Sequence, residues 1–166
     1  PGMALLCRRQ LLVLAWLVIL SVLSYHLVSQ YVVTAVVIQG RSMLPTLRDG
    51  DHFILNRFSY CYRTPERREV VVIQDPGHQD YAVKRIVAMP GETICVKNGA
   101  VFINGEKQAE PYLAPGTATF CSLSQQLLVV LGKDQYFVLG DNRRVSEDSR
   151  TYGAIHRSQI VGLIAR

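Results

Sequence analysis

Apolar residues follow two different regimes along this chain. From Gln10 to Gly40 there is no Asp, Glu, Lys or Arg, and the stretch from Leu11 to Ser24 is almost wholly apolar. A helix needs about 20 such residues to cross a bilayer core, and residues 10–29 supply them. Arg8 and Arg9 stand just before this stretch. Positive charge is retained on the cytoplasmic side, which predicts a short cytoplasmic segment at 1–9, an anchor at 10–29 and a large domain at 30–166 facing outward. A cleaved secretory signal and a buried core helix are the competing readings of the same pattern, although no clear small-residue cleavage site stands out.

Beyond the anchor the pattern is that of short strands broken by turn residues. Tyr31 to Ile38 is rich in β-branched residues and reads as a strand ending at Gly40. Further strands are predicted at His52–Leu55, Glu69–Ile73, Tyr81–Val87, Gln135–Leu139 and Gln159–Ala165. Thr93–Val96 and Ala100–Ile103 flank Asn98-Gly99, the strongest hairpin signal in the chain. Asn104-Gly105 marks a second turn. The Arg-rich segment from Tyr60 to Glu69 reads as a loop, and residues 106–134, with Pro111, Pro115 and Gly116, read as less regular. Many closely spaced strands and almost no helical period after residue 30 predict a mainly β, antiparallel domain.

Composition narrows the function classes. A net charge of +5 admits acidic partners, but the basic residues are scattered and no nucleic-acid motif accompanies them, so no nucleic acid is expected. Anionic lipid headgroups suit the charge at least as well. Cys7, Cys61, Cys95 and Cys121 form no CxxC pair. Cys61, Cys95 and Cys121 are compatible both with a disulfide, if their compartment is oxidising, and with free buried thiols. His26, His52, His78 and His156 lack metal-ligand spacing, and no HExxH, GxSxG or P-loop occurs. No metal or cofactor is expected.

Serine and lysine carry the remaining chemistry. Of the four lysines, Lys97, Lys107 and Lys133 sit beside turn residues, whereas Lys84 lies inside an apolar strand. Burial there disfavours the charged form and makes a usable base. A lysine snorkelling at a strand edge, as Arg85 is expected to do, is the alternative. Ser42 follows a strand directly, on a turn begun by Gly40 and stiffened by Pro45. Such a serine is either a nucleophile beside a base or a turn cap. Gly140 to Gly153 forms a dense polar loop, either a hydrated surface or a support for the base.

Together these segments resemble the type I signal peptidases, a serine–lysine protease family. Gly40-Arg41-Ser42-Met43-Leu44-Pro45-Thr46-Leu47 is similar to the G-x-S-M-x-P-T-L box of that family. Lys84-Arg85-Ile86-Val87-Ala88-Met89-Pro90-Gly91-Glu92 resembles its lysine box. Gly140-Asp141-Asn142-Arg143, Ser146 and Asp148-Ser149-Arg150 match its third box. The resemblance implies two antiparallel β-sheets, with about 97–134 as a smaller peripheral part. It implies Ser42 as nucleophile, Lys84 as general base and Ser146 as the group orienting the lysine. It also implies a nearby ion pair between Asp148 and Arg150 and an oxyanion hole of backbone donors at Gly40 and Ser42. By the same resemblance, Val36, Ile38, Leu47 and Val83 are expected to wall the shallow pockets for the Ala-x-Ala end of a signal peptide. Preproteins and the lipid bilayer are the implied partners.

Two departures matter. Gly40 stands where some members carry a serine that donates to the oxyanion. Ala82 stands where many carry a tyrosine, with Tyr81 one residue earlier. The rivals are a self-cleaving repressor-type serine–lysine protease, which needs a helix-turn-helix not seen before Ser42, and a catalytically silent, membrane-tethered β module. The expected site is the plasma membrane of a bacterium, with a mitochondrial inner membrane or thylakoid as the alternative.

Overall fold

The structure is a computed structural model that describes residues 2–31, 33–77, 80–121 and 126–165. His78, one of the four histidines, lies outside them. Helix α1 runs from Gly2 to Tyr31, two residues past the predicted anchor end. Its Arg8–His26 portion is long and apolar enough to cross a membrane and is not buried by the rest of the chain. Leu11, Trp16 and Leu23 are among the side chains left exposed. At about 1.5 Å per residue, α1 as a whole exceeds the roughly 30 Å of a bilayer core.

The rest is mainly β, in two antiparallel sheets. The larger contains β1 (Val33–Val37), β2 (His52–Asn56), β3 (Val70–Gln74), β4 (Tyr81–Ala88), β9 (Gln135–Leu139), β10 (Ile155–His156) and β11 (Ile160–Ala165), in the order β1-β2-β11-β3-β4-β9-β10. The smaller contains β5 (Thr93–Lys97), β6 (Ala100–Ile103), β7 (Glu106–Lys107) and β8 (Gln126–Val130), in the order β7-β6-β5-β8. Asn98 and Gly99 both take positive φ, 51° and 74°, as a two-residue turn between strands demands. The β8 strand lies inside the segment expected to be irregular. Two one-turn helices, α2 (Ser59–Tyr62) and α3 (Ser149–Tyr152), were not foreshadowed by the sequence pattern. Both are too short to carry a periodic signal.

The central strand β4 sits between β3 and β9 and is buried along most of its length. Its end joins the two sheets: Val87 and Ala88 pack with Ile94, Val96, Val101 and Phe137. Alternate residues of a strand face opposite sides. Ile86 therefore packs with Val71, Ile73 and Val138, while Val83 packs on the other cluster with Met43, Leu47 and Val72.

Candidate active site

The turn after β1 is fixed by backbone bonds. Gly40 takes φ +93° and its N–H donates to Asp49 Oδ1 at 2.8 Å. The Gly40 N–H, expected among the oxyanion donors, is engaged by Asp49 in this structure. On the far side the turn is held by the third box. Asn142 N donates to Ser42 O at 2.9 Å, and Asn142 Nδ2 donates to Arg41 O at 3.1 Å. Gly140 must be glycine for this contact. A Cβ there would lie 2.2 Å from Ser146 Oγ and 2.6 Å from Ser42 O.

Ser42 and Lys84 line one cavity of about 280 Å³. Val36, Ile38 and Val83, three of the four residues expected as pocket walls, line it too, together with Met43 and Val72. Leu47 does not. It is 2% exposed, packs behind the turn against Ile38 and Leu55, and faces a different cavity with Arg85 and Tyr112. Three residues of turn separate Leu47 from Met43 and carry it into the core. Met43 and Val72 were not anticipated, because Val72 shares the wall only through the pairing of β3 with β4, where it faces Val83.

Lys84 is 5% exposed. Among the described residues nothing hydrogen-bonds its ammonium. Burial holds its pKa below the ordinary lysine value, while the carboxylates of Asp148, Asp75 and Glu147 partly oppose that drop and Arg150 adds to it. A serine hydroxyl and a desolvated amine in one small cavity are the elements of base-assisted nucleophilic attack.

The supporting residues come from the third box. Asp148 caps α3 and is fully buried. Its Oδ1 accepts from Arg150 Nε at 2.8 Å, and its Oδ2 accepts from Arg150 Nη2 at 2.9 Å and from Gly140 N at 3.0 Å. The ion pair thus ties the loop to the strand end beside Ser42. Ser146 Oγ is buried and has no hydrogen-bond partner among the described residues. Arg150 Nη1 also donates to Phe120 O at 3.0 Å, and Arg143 is clamped by Glu110 and Thr119, so residues 110–120 are fastened to the same loop.

Arg85 departs from expectation. It does not snorkel. It is 7% exposed and forms a double ion pair with Asp141, Nε to Oδ1 at 2.8 Å and Nη2 to Oδ2 at 2.5 Å. Thr46 Oγ1 donates to the same carboxylate at 2.5 Å, and Tyr112 covers the guanidinium at 4.1 Å. One residue from each box meets there. Cys61, Cys95 and Cys121 are free thiols. Among the described residues no three His, Cys, Asp or Glu side chains are grouped as metal ligands would be.

Comparison with known proteins decides the class. Residues 9–165 match the family described as signal peptidase, peptidase S26. This chain belongs to the signal peptidase family. It is 36% identical to signal peptidase IB of Staphylococcus aureus (strain COL), over 92% of this chain and 87% of that protein. It is also 36% identical to signal peptidase I V of Bacillus subtilis (strain 168), over 77% of this chain and 81% of that one. The crystal structure of a signal peptidase I from Enterococcus faecalis V583 superposes with a TM-score of 0.54 at 27% identity, covering 62% of this chain and 98% of that one. The enzyme is a hydrolase that removes signal peptides, and it shares the mainly β fold with that structure.

Proposed function

We propose that this signal peptidase works through a Ser42–Lys84 dyad, anchored by α1 with the β domain on the extracytoplasmic face of a bacterial plasma membrane. The observation that carries the reading is the shared cavity: Ser42 from the first box and Lys84 from the second, buried and without a hydrogen bond among the described residues, line the same small pocket. The neutral amine of Lys84 takes the Ser42 Oγ proton as Oγ attacks the scissile carbonyl carbon. The oxygen of the tetrahedral intermediate is stabilised by the Ser42 N–H. Collapse breaks the C–N bond, the proton passes from Lys84 to the leaving amine, and an ester to Ser42 remains. Lys84 then takes a proton from water, the hydroxide attacks the ester, and the proton returns to Ser42 Oγ. Ser146 steadies the amine, and the Asp148–Arg150 pair steadies Ser146.

Val36, Ile38 and Val83 leave room for small side chains, which supports an Ala-x-Ala preference at the end of the signal peptide. The unburied apolar surface of α1 requires an apolar solvent, which supports the bilayer as partner. Anchor and cavity wall are only a few residues apart in sequence, so a membrane-held signal peptide meets the site at raised local concentration. Cleavage of a purified preprotein in detergent tests the dyad. Ser42→Ala and Lys84→Arg should each lose turnover by at least about 10³-fold, since an arginine stays protonated and cannot act as base. Undiminished product from either variant would refute the reading.

A further inference from the structure

Two buried side-chain oxygens among the described residues lack a hydrogen-bond partner: Ser146 Oγ and Tyr152 Oη. The dyad accounts for the first. It does not use the second. An unpartnered buried hydroxyl destabilises a fold, and phenylalanine would fill the same space without that loss. A tyrosine in such a place points to work done by its oxygen.

Tyr152 ends α3, the helix that Asp148 caps and Arg150 belongs to. Its ring packs on the cluster of Val71, Ile73 and Ile86, and Ala82 packs on the same cluster. Ala82 and Ile86 flank Lys84 at alternate positions of β4 and so share its face. Val71 is the cross-strand partner of Lys84. The tyrosine ring and the lysine stem therefore lie over one face of the β3–β4 pair. The same three carboxylates, Asp148, Asp75 and Glu147, act on both groups, and burial keeps the phenol protonated. Tyr81, on the opposite parity of β4, is 69% exposed.

Resting on the dyad reading, we propose that the Tyr152 hydroxyl is a second positioning group for Lys84, contributed by α3 rather than by the lysine's own strand. The valences match. A neutral amine has two N–H donors and one lone pair. Ser146 Oγ and Tyr152 Oη are two acceptors without donors among the described residues. With one N–H to each, the lone pair is left for the proton of Ser42. When Lys84 is protonated, the third N–H carries that proton to the leaving amine. Both acceptors also stabilise the ammonium more than the amine, because hydrogen bonds from a charged donor are stronger.

Tyr152→Phe tests this in the full-length enzyme in detergent, by the pH profile of preprotein cleavage and by thermal unfolding. The plateau kcat should fall by about tenfold with KM unchanged, the size expected for a misdirected general base. The acid limb should move to lower pH, since an acceptor for the ammonium is gone. Thermal stability should hold or rise. A profile and plateau identical to wild type would overturn the proposal and leave Tyr152 a packing residue. Ser42→Ala and Lys84→Arg run alongside separate the two claims: if those variants are inactive while Tyr152→Phe is unaltered, only the tyrosine role fails; if Lys84→Arg is active, the dyad fails and the tyrosine role with it.

Discussion

Lys84 and Arg85 are neighbours on β4, both basic side chains and both buried, yet they meet opposite surroundings. Arg85 faces Asp141, Thr46 and Tyr112, and every direction of its guanidinium is answered. Lys84 faces a small cavity, with carboxylates near enough to be felt but, among the described residues, none bonded to it. A buried charge that is paired stays charged and ties elements together. One left unpaired is pushed toward neutrality. A single strand thus holds a structural rivet on one face and a proposed base on the other, and strand alternation keeps the two from interfering.

This contrast breaks most visibly at the rivet. Arg85→Met leaves the Asp141 carboxylate, wholly buried, without its cation. Unfolding in denaturant should reveal a loss of about 3–5 kcal/mol, and replacing both partners by apolar residues should recover much of it. A loss under 1 kcal/mol would show the pair to be dispensable.

Next in size is the contact between the two sides. Gly140→Ala places a methyl against Ser146 Oγ and Ser42 O. Turnover should fall about 10²-fold from displaced geometry, while circular dichroism reports an intact fold. Normal turnover would mean that the third box does not set the position of Ser42.

The smallest effect lies in the pH dependence of stability. The folded pKa of Lys84 is below its unfolded value of about 10.4. Between those two pKa values the unfolded chain binds the extra proton, so stability rises with pH through that window, and the burial penalty is felt in full below it. Lys84→Met should therefore be more stable than wild type at and below neutral pH, with the difference shrinking as pH approaches the ordinary lysine range. A constant difference across that range would contradict a depressed pKa.

The division between what sequence reading reached and what it did not follows the range of the interactions. Asn98-Gly99 announces its hairpin because the turn demands those residues locally. Lys84 stands out because its strand neighbours are apolar. Arg85 has the same neighbours and so looked like an edge charge. Its partner, Asp141, is 56 residues away and becomes visible only when β4 pairs with β9. The β8 strand was hidden by Pro111, Pro115 and Gly116 in the segment before it, which weaken any pattern averaged over 106–134. Leu47 and Met43 are equally apolar on one turn, and only packing decides that Met43 faces the cavity while Leu47 faces the core beside Val72 and Ile164. Tyr152 could not be tied to Lys84 from spacing, since α3 is a single turn whose direction is set by the Asp148 cap.

The central claim is that Lys84 is held toward its neutral form. The chain has four lysines, at 84, 97, 107 and 133, so their side-chain carbons can be followed individually by NMR as pH is raised in detergent micelles. One resonance, absent from Lys84→Arg, should titrate clearly below the usual lysine range near 10.4. If that resonance titrates in the ordinary range, Lys84 is an ordinary charge and the base proposed here does not exist.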